Sequence, residues 1–284
     1  MPLFGAHMSV AGGLHNAVAA SVEHACDTVQ IFTKNANQWA AKPLAEADIA
    51  VFRKAVKQAK LKFPTAHDSY LINLAAPDDA LWNKSIDAFT IELERAESLG
   101  LSYLVTHPGA HVGSGVEAGI ARVVKGLDAV HARCPGFKVK VLLELTAGQG
   151  SCLGAKLEEI AAIRDGAKEP ARLGVCLDTC HVFAAGYAIH TKPGYAALFD
   201  EFDDRIGLTQ LKLFHVNDSV KGCGSRVDRH AAIGQGQIGL EPFRWLVNDP
   251  RFAKRPMILE TPKENDAGEP MDPANLATLR SLVR

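Results

Sequence analysis

The hydrophobic pattern of this chain switches repeatedly between two periods. Short apolar or β-branched runs occupy residues 3–9 (LFGAHMS), 28–34 (TVQIFTK), 63–69 (FPTAHDS), 103–109 (YLVTHPG), 140–146 (KVLLELT), 173–180 (LGVCLDTC), 211–218 (LKLFHVND) and 257–262 (MILETP). Stretches with a helical repeat separate them. Within 13–26, Leu14, Val18 and Val22 fall on one face. Within 78–100, Leu81, Ile86, Phe89, Ile91, Leu93 and Leu99 carry the apolar weight, and Gly100 is placed to cap the C-terminus. Eight β runs and about eight helical stretches in strict alternation imply parallel strands. At 284 residues this predicts the α/β class and a single (β/α)8 TIM barrel over residues 1–284, in preference to an open doubly wound sheet. The first βα junction carries Gly12-Gly13 without a GxGxxG fingerprint, which argues against a dinucleotide fold. One segment breaks the rhythm. Residues 219–240 are Gly-rich and polar, a length that compact domains usually reserve for function, and a helix is expected to follow near Glu241.

Charge adds little by itself. Lys and Arg number 31 against 32 Asp and Glu, so no overall field marks or excludes a nucleic-acid partner. The six cysteines are scattered without a CxxC pair, and a chain this long does not need disulfides, so a reducing, cytoplasmic setting is expected. The start MPLFGAHMS lacks a basic stretch followed by an apolar one, and no apolar run approaches the roughly 20 residues that span a bilayer.

The informative chemistry lies at the ends of the apolar runs. His107 ends YLVTH, Glu144 ends VLLE, Asp178 ends VCLD, His215 ends LKLFH and Glu260 ends MILE; His67, His181, Asp228 and His230 lie at or just beyond such ends. Parallel barrels build their sites at the C-terminal ends of the strands. A carboxylate there, unpaired, costs several kcal/mol, roughly, and a cation neutralises it. Five imidazoles and four carboxylates suit Zn²⁺, or Mn²⁺ where oxygen dominates, and nine donors exceed one tetrahedral ion. Two or three ions with bridging carboxylates are therefore expected, an arrangement suited to phosphoryl chemistry. Cys176 and Cys180 bracket Asp178, but the oxygen and nitrogen donors already suffice. Of the remaining histidines, His15, His24, His131 and His190 are expected to be solvated, while His7 and His111 are expected at the active mouth.

Several segments resemble the endonuclease IV family of apurinic/apyrimidinic endonucleases: GAHMSVAGG, the QIFTKN and QW of QIFTKNANQW, HDSYLINLA, THPGAHVG, ELTAGQGSCLG, GVCLDTCHVFAAGY, FHVNDS, GSRVDRHAAIGQGQIG and LETP, in order from about residue 3 to 262. The resemblance implies a trinuclear zinc barrel, with manganese possible at one position. Its implied substrate is double-stranded DNA bearing abasic sites or damaged 3′ ends, cut 5′ to the lesion, and the family is usually monomeric. It also implies the grouping: His67, His107 and Glu144 around one ion; Glu144 bridging to a second with Asp178, His215 and Glu260; His181, Asp228 and His230 around a third. Glu144 would orient or deprotonate the attacking water, and Tyr70 would probe the lesion. Arg226 and Arg229 are candidate phosphate contacts, and the backbone at Gly234 and Gly236 allows phosphate to approach closely.

Four positions depart from the family pattern. Asn37 stands where a long basic side chain usually enters the minor groove, and Val220 where Lys is usual, with Lys221 displaced by one. Leu145 replaces a polar residue, and Ala188 replaces an Asp whose loss suggests a missing helix cap. These departures bear on DNA affinity, and the competing reading is a two-metal sugar isomerase or epimerase of the related barrel superfamily.

Overall fold

A computed structural model describes residues 2–284. In chain order the elements are β1 (Leu3–His7), α1 (Leu14–Glu23), β2 (Thr28–Phe32), α2 (Glu46–Ala59), β3 (Thr65–His67), α3 (Asp79–Leu99), β4 (Tyr103–Thr106), α4 (Val116–Arg133), β5 (Lys140–Glu144), α5 (Leu157–Gly166) and β6 (Leu173–Asp178). They continue with α6 (Thr179–Ala185), α7 (Lys192–Arg205), β7 (Leu211–His215), β8 (Asp218–Ser219), β9 (His230–Ala231), α8 (Leu240–Asn248), β10 (Pro256–Leu259) and α9 (Asp272–Leu282). Strands β1 to β7 and β10 close a parallel barrel, with β10 between β7 and β1. All eight apolar runs thus became barrel strands, and the helices pack outside them. The additions to the expected pattern are α6, a short helix directly after β6, and the antiparallel pair β8–β9 inside the Gly-rich segment.

Strand periodicity explains where the donors go. Val105, Leu142, Cys176, Leu213 and Ile258 form a fully buried layer inside the barrel, separate from the main core between sheet and helices. Two residues further along each strand, on the same face, stand His107, Glu144, Asp178, His215 and Glu260. The apolar layer is therefore a floor one pleat beneath the donors. On β7 this alignment needs a correction of parity. The β6–β7 register shifts between Val175 and Cys176, so that Val175 pairs with Leu211 but Cys176 with Leu213. Lys212 is the extra residue, and the bulge that absorbs it keeps His215 paired with Asp178 on the same face.

Some expectations fail in detail. Val22 is 57% exposed and Ile91 39%, because α1 and α3 each bury a narrower stripe: Ala17, Val18 and Ser21 in the first, and Ile86, Phe89 and Leu93 among others in the second. Gly100 does end α3 in the left-handed conformation, at φ 71°. Leu145 is fully buried in the main core, so a polar side chain has no use there. The cap feared lost at Ala188 is supplied by Thr191, whose hydroxyl accepts from the Gly194 N–H at 3.1 Å. His131, expected to be solvated, is buried at the end of α4. Burial first, and the nearby Arg172 guanidinium second, push its imidazole down to about 4.

The Gly-rich segment is organised by one side chain. Asp218, fully buried at the start of β8, accepts from the N–H groups of Ser219 (2.8 Å), Gly234 (3.0 Å), Gly236 (3.0 Å) and Ile238 (2.9 Å). The Gly234 and Gly236 donors expected to face phosphate are thus committed to a carboxylate. Gly236 is required because a Cβ there would lie 2.4 Å from the Asp218 oxygen.

Asp218→Ala strands four N–H groups and is expected to cost about 1–3 kcal/mol per donor left buried, with amide exchange at residues 234–238 accelerating ahead of the barrel strands. Unchanged exchange there would remove Asp218 from this role. His131 is neutral when folded and ordinary when unfolded, so its contribution is complete above pH 6.5 and is lost as pH falls through about 4. His131→Leu should flatten the fall of the urea midpoint over that window; parallel wild-type and variant profiles would refute the assignment.

Candidate metal centre

Glu144 is the centre of the site. Its carboxylate is fully buried, and each oxygen faces two imidazoles: Oε1 lies 2.9 Å from His215 Nδ1 and 3.2 Å from His181 Nδ1, and Oε2 lies 3.1 Å from His67 Nε2 and 3.2 Å from His107 Nε2. Around it the other eight strand-end candidates converge. His67, His107 and Glu144 offer ligand atoms within 4.8 Å of one another, as do Glu144, Asp178, His215 and Glu260, and likewise Asp178, His181 and His230. Asp228 joins the last trio, 3.0 Å from His181 Nε2 and 3.1 Å from His230 Nε2.

The second nitrogens of the rings show which atoms are free for a cation. His67 Nδ1, His181 Nδ1 and His230 Nδ1 lie 3.0 Å from the backbone oxygens of Asp68, Leu145 and Glu260 respectively. A carbonyl only accepts, so each Nδ1 carries a proton and each Nε2 can present its lone pair. The Nε2 atoms of His181 and His230 are buried without a hydrogen-bond partner, although carboxylate oxygens lie close by. Ring nitrogens and carboxylate oxygens aimed at common points fit a divalent cation that displaces the ring protons. The thiols of Cys176 and Cys180 also fall within such groups, the first beside Glu144 and His215, the second beside Asp228 and His230. Burial pushes both thiols up, away from the thiolate that binds metals.

Charge compensation is tight. Burial opposes every ionised form here, but the neighbours outweigh it. His67 and His181 are held well above the ordinary imidazole value, and His230 is raised to about 9. Burial likewise works against the Glu144, Glu260 and Asp228 carboxylates, yet the facing imidazoles hold all three below the usual carboxylate range. Without a cation, protons on the rings balance the acids; a divalent ion displaces them.

The remaining candidates divide. His7 belongs to the cluster: its Nδ1 lies 3.6 Å from Glu260 Oε1, and burial lowers its imidazole so that it is neutral. His111 does not; its Nδ1 accepts from the Gly115 N–H at 3.1 Å, within its own loop. Tyr70 is 66% exposed beside the cluster, its ring 6.2 Å from that of His67 and 5.5 Å from Phe32. It stands between a cavity of about 210 Å³ reaching from His67, His107 and His181 to Gln149, and an open groove of about 510 Å³ that includes Asn37. Arg226 and Arg229 are exposed on the segment that carries Asp228 and His230, and neither guanidinium has a carboxylate partner among the described residues.

Three residues escaped the sequence reading. Asn217 donates to Asp178 Oδ2 at 2.6 Å and accepts from the Glu260 N–H at 2.8 Å, linking two donors. Asp68 accepts from Thr106 Oγ1 at 2.6 Å and lies 3.4 Å from His67 Nδ1. Gln30 sits on β2 between His215 and Glu260. The signal for Gln30 was a polar amide at an inward position of the apolar run TVQIF.

Comparison with known proteins agrees with this geometry. Residues 18–282 match the family model described as a xylose isomerase-like TIM barrel. A protein of Chloroflexus aurantiacus named probable endonuclease 4 is 53% identical over 284 residues, covering 100% of this chain and 99% of its own. The crystal structure of endonuclease IV from Thermus thermophilus superposes with a TM-score of 0.87 at 35% identity, over 99% of this chain and 98% of that one. A D-tagatose 3-epimerase-like protein shares the fold, with a TM-score of 0.72 at 19% identity over 99% of this chain and 96% of its own. Full-length likeness at this level, on a barrel whose mouth gathers the expected donors, places the chain in the endonuclease IV family of the xylose isomerase-like TIM barrels.

Proposed function

We propose that this chain is a metal-dependent DNA repair endonuclease that hydrolyses the phosphodiester 5′ to abasic sites in duplex DNA. The products would be a 3′-hydroxyl and a 5′-deoxyribose phosphate, and the same site would clear blocked 3′ ends. The observation that carries the reading is the convergence of five imidazoles and three further carboxylates around Glu144 in a chain of this family. The sugar isomerase reading is not favoured, since the epimerase-like neighbour shares the fold alone.

Three zinc ions fit the donor set, with manganese at one position as a variant. His67 and His107 with Glu144 would hold one, Glu144, Asp178, His215 and Glu260 a second, and His181, Asp228 and His230 a third. When bound, such ions lower the pKa of water and neutralise the charge that develops on phosphorus and on the departing oxygen. The side chains do the rest. Glu144 is the central carboxylate able to orient the attacking water and accept its proton. Tyr70, exposed at the rim, contacts the displaced nucleotide, since a lesion in a duplex must be extruded to reach a recessed site. The guanidinium groups of Arg226 and Arg229 meet DNA phosphates, as their lack of carboxylate partners allows. Asn37 lines the groove beyond Tyr70, where a shorter uncharged side chain makes a weaker wedge. His7, beside Glu260, would stand next to the substrate, while His111 would act only from the loop after β4. The donor set is complete within one chain, so the reading needs no residue from a second subunit. No helix among the described residues is long and apolar enough to cross a membrane.

Metal-replete protein should incise a duplex oligonucleotide bearing a tetrahydrofuran abasic analogue, leaving a 3′-hydroxyl, and elemental analysis should find about three zinc ions per chain. Absence of that product from zinc-loaded protein would end the reading. Glu144→Gln should lower kcat by about 10²–10⁴-fold while abasic DNA is still retained in a binding assay; parallel loss of binding would point to collapse of the cluster. Tyr70→Ala should reduce the preference for abasic over intact duplex, and an unaltered preference would exclude its probing role.

A further inference from the structure

Gln30 is an uncharged amide, fully buried on β2, within a cluster of titratable groups. Its Nε2 lies 2.6 Å from Glu260 Oε1 and 3.0 Å from His7 Nδ1, and its Oε1 lies 2.8 Å from His215 Nε2. A carboxylate only accepts, so the amide nitrogen must face Glu260; a flipped amide would set two oxygens against each other at that separation. The orientation leaves Oε1 towards His215. That oxygen also only accepts, so His215 Nε2 must carry a proton. When His215 gives up one proton to bind a cation, the proton it keeps is the one on Nε2. The lone pair is then on Nδ1, which lies 2.9 Å from Glu144 Oε1 and 3.2 Å from Glu260 Oε2.

We propose that Gln30 is a positioning residue that selects the His215 nitrogen available to the cation shared by Glu144, Asp178, His215 and Glu260. The inference rests on the metal assignment proposed above. It extends it by a chain of orientation: the Glu260 charge sets the amide, the amide sets the His215 tautomer, and the second amide N–H turns His7 Nδ1 into an acceptor. A hydrophobic residue at position 30 would leave both tautomers available, and a glutamate would place a second carboxylate against Glu260.

The test uses the full chain, selectively labelled with ¹⁵N-histidine and loaded with zinc. The wild-type His215 signal, assigned by its loss in His215→Gln, should show the proton on Nε2 and the shift of a metal-bound nitrogen at Nδ1. In Gln30→Met, competition against a chromophoric chelator should show one zinc position weakened by about 10–100-fold, with the other positions unchanged. A wild-type proton on Nδ1, or Gln30→Met binding zinc like the wild type, would overturn the proposal. The wild-type spectrum decides the matter even if the variant does not fold. Failure of the wild type to take up zinc would instead refute the metal reading on which the proposal stands.

Discussion

A fully buried carboxylate facing four imidazoles is the interaction on which the rest of this structure depends. Glu144 ends a strand whose preceding residues are all apolar from Val141 onward, above a floor of Val105, Leu142, Cys176, Leu213 and Ile258. Such a group cannot stand ionised alone in a low-dielectric interior. The four rings come from β3, the end of β4, α6 and β7, so that satisfying one carboxylate requires those elements to be in register at once. Barrel closure and site assembly are the same event in this sense. The bulge at Lys212 shows the constraint locally, since unbroken pairing from Val175–Leu211 onward would set Phe214, not His215, against Asp178.

Around that centre lies a shell of groups that only accept or only donate, and their fixed roles propagate inward. Backbone oxygens of Asp68, Leu145 and Glu260 set three imidazole tautomers. Asn217 ties Asp178 to the backbone of Glu260. The donors are therefore aimed before any ligand arrives, which reduces the ordering that binding must impose. Asp218 extends the same logic outward. Four backbone donors gathered on one carboxylate convert a Gly-rich loop, mobile by composition, into a framed support for Asp228 and His230.

The departures from the family pattern fall into two kinds. Leu145 and Ala188 concern packing and capping, and both are resolved within the fold, the first by the core and the second by Thr191. Asn37 and Val220 are exposed, and their backbone N–H groups are held by the Asn35 side chain and the Arg229 carbonyl. Their side chains face outward, away from the cluster around Glu144.

The alternation of periods in the sequence was enough to yield the eight strands, their parallel direction and the end of the barrel at which the donors collect. That information is local: strand parity and the apolar floor are written in residues two apart. The same linear pattern pointed to all nine donors, because a charged or imidazole residue ending an apolar run is anomalous without a partner. What it could not contain is contact between segments remote in the chain. That Gln30 lies between His215 and Glu260, that Asp218 rather than a phosphate takes the Gly234 and Gly236 donors, and that His131 is buried beside Arg172 were decided only in three dimensions. Hydrogen-bond partners and desolvation depend on distances across the barrel, and no periodicity along a strand or helix encodes them.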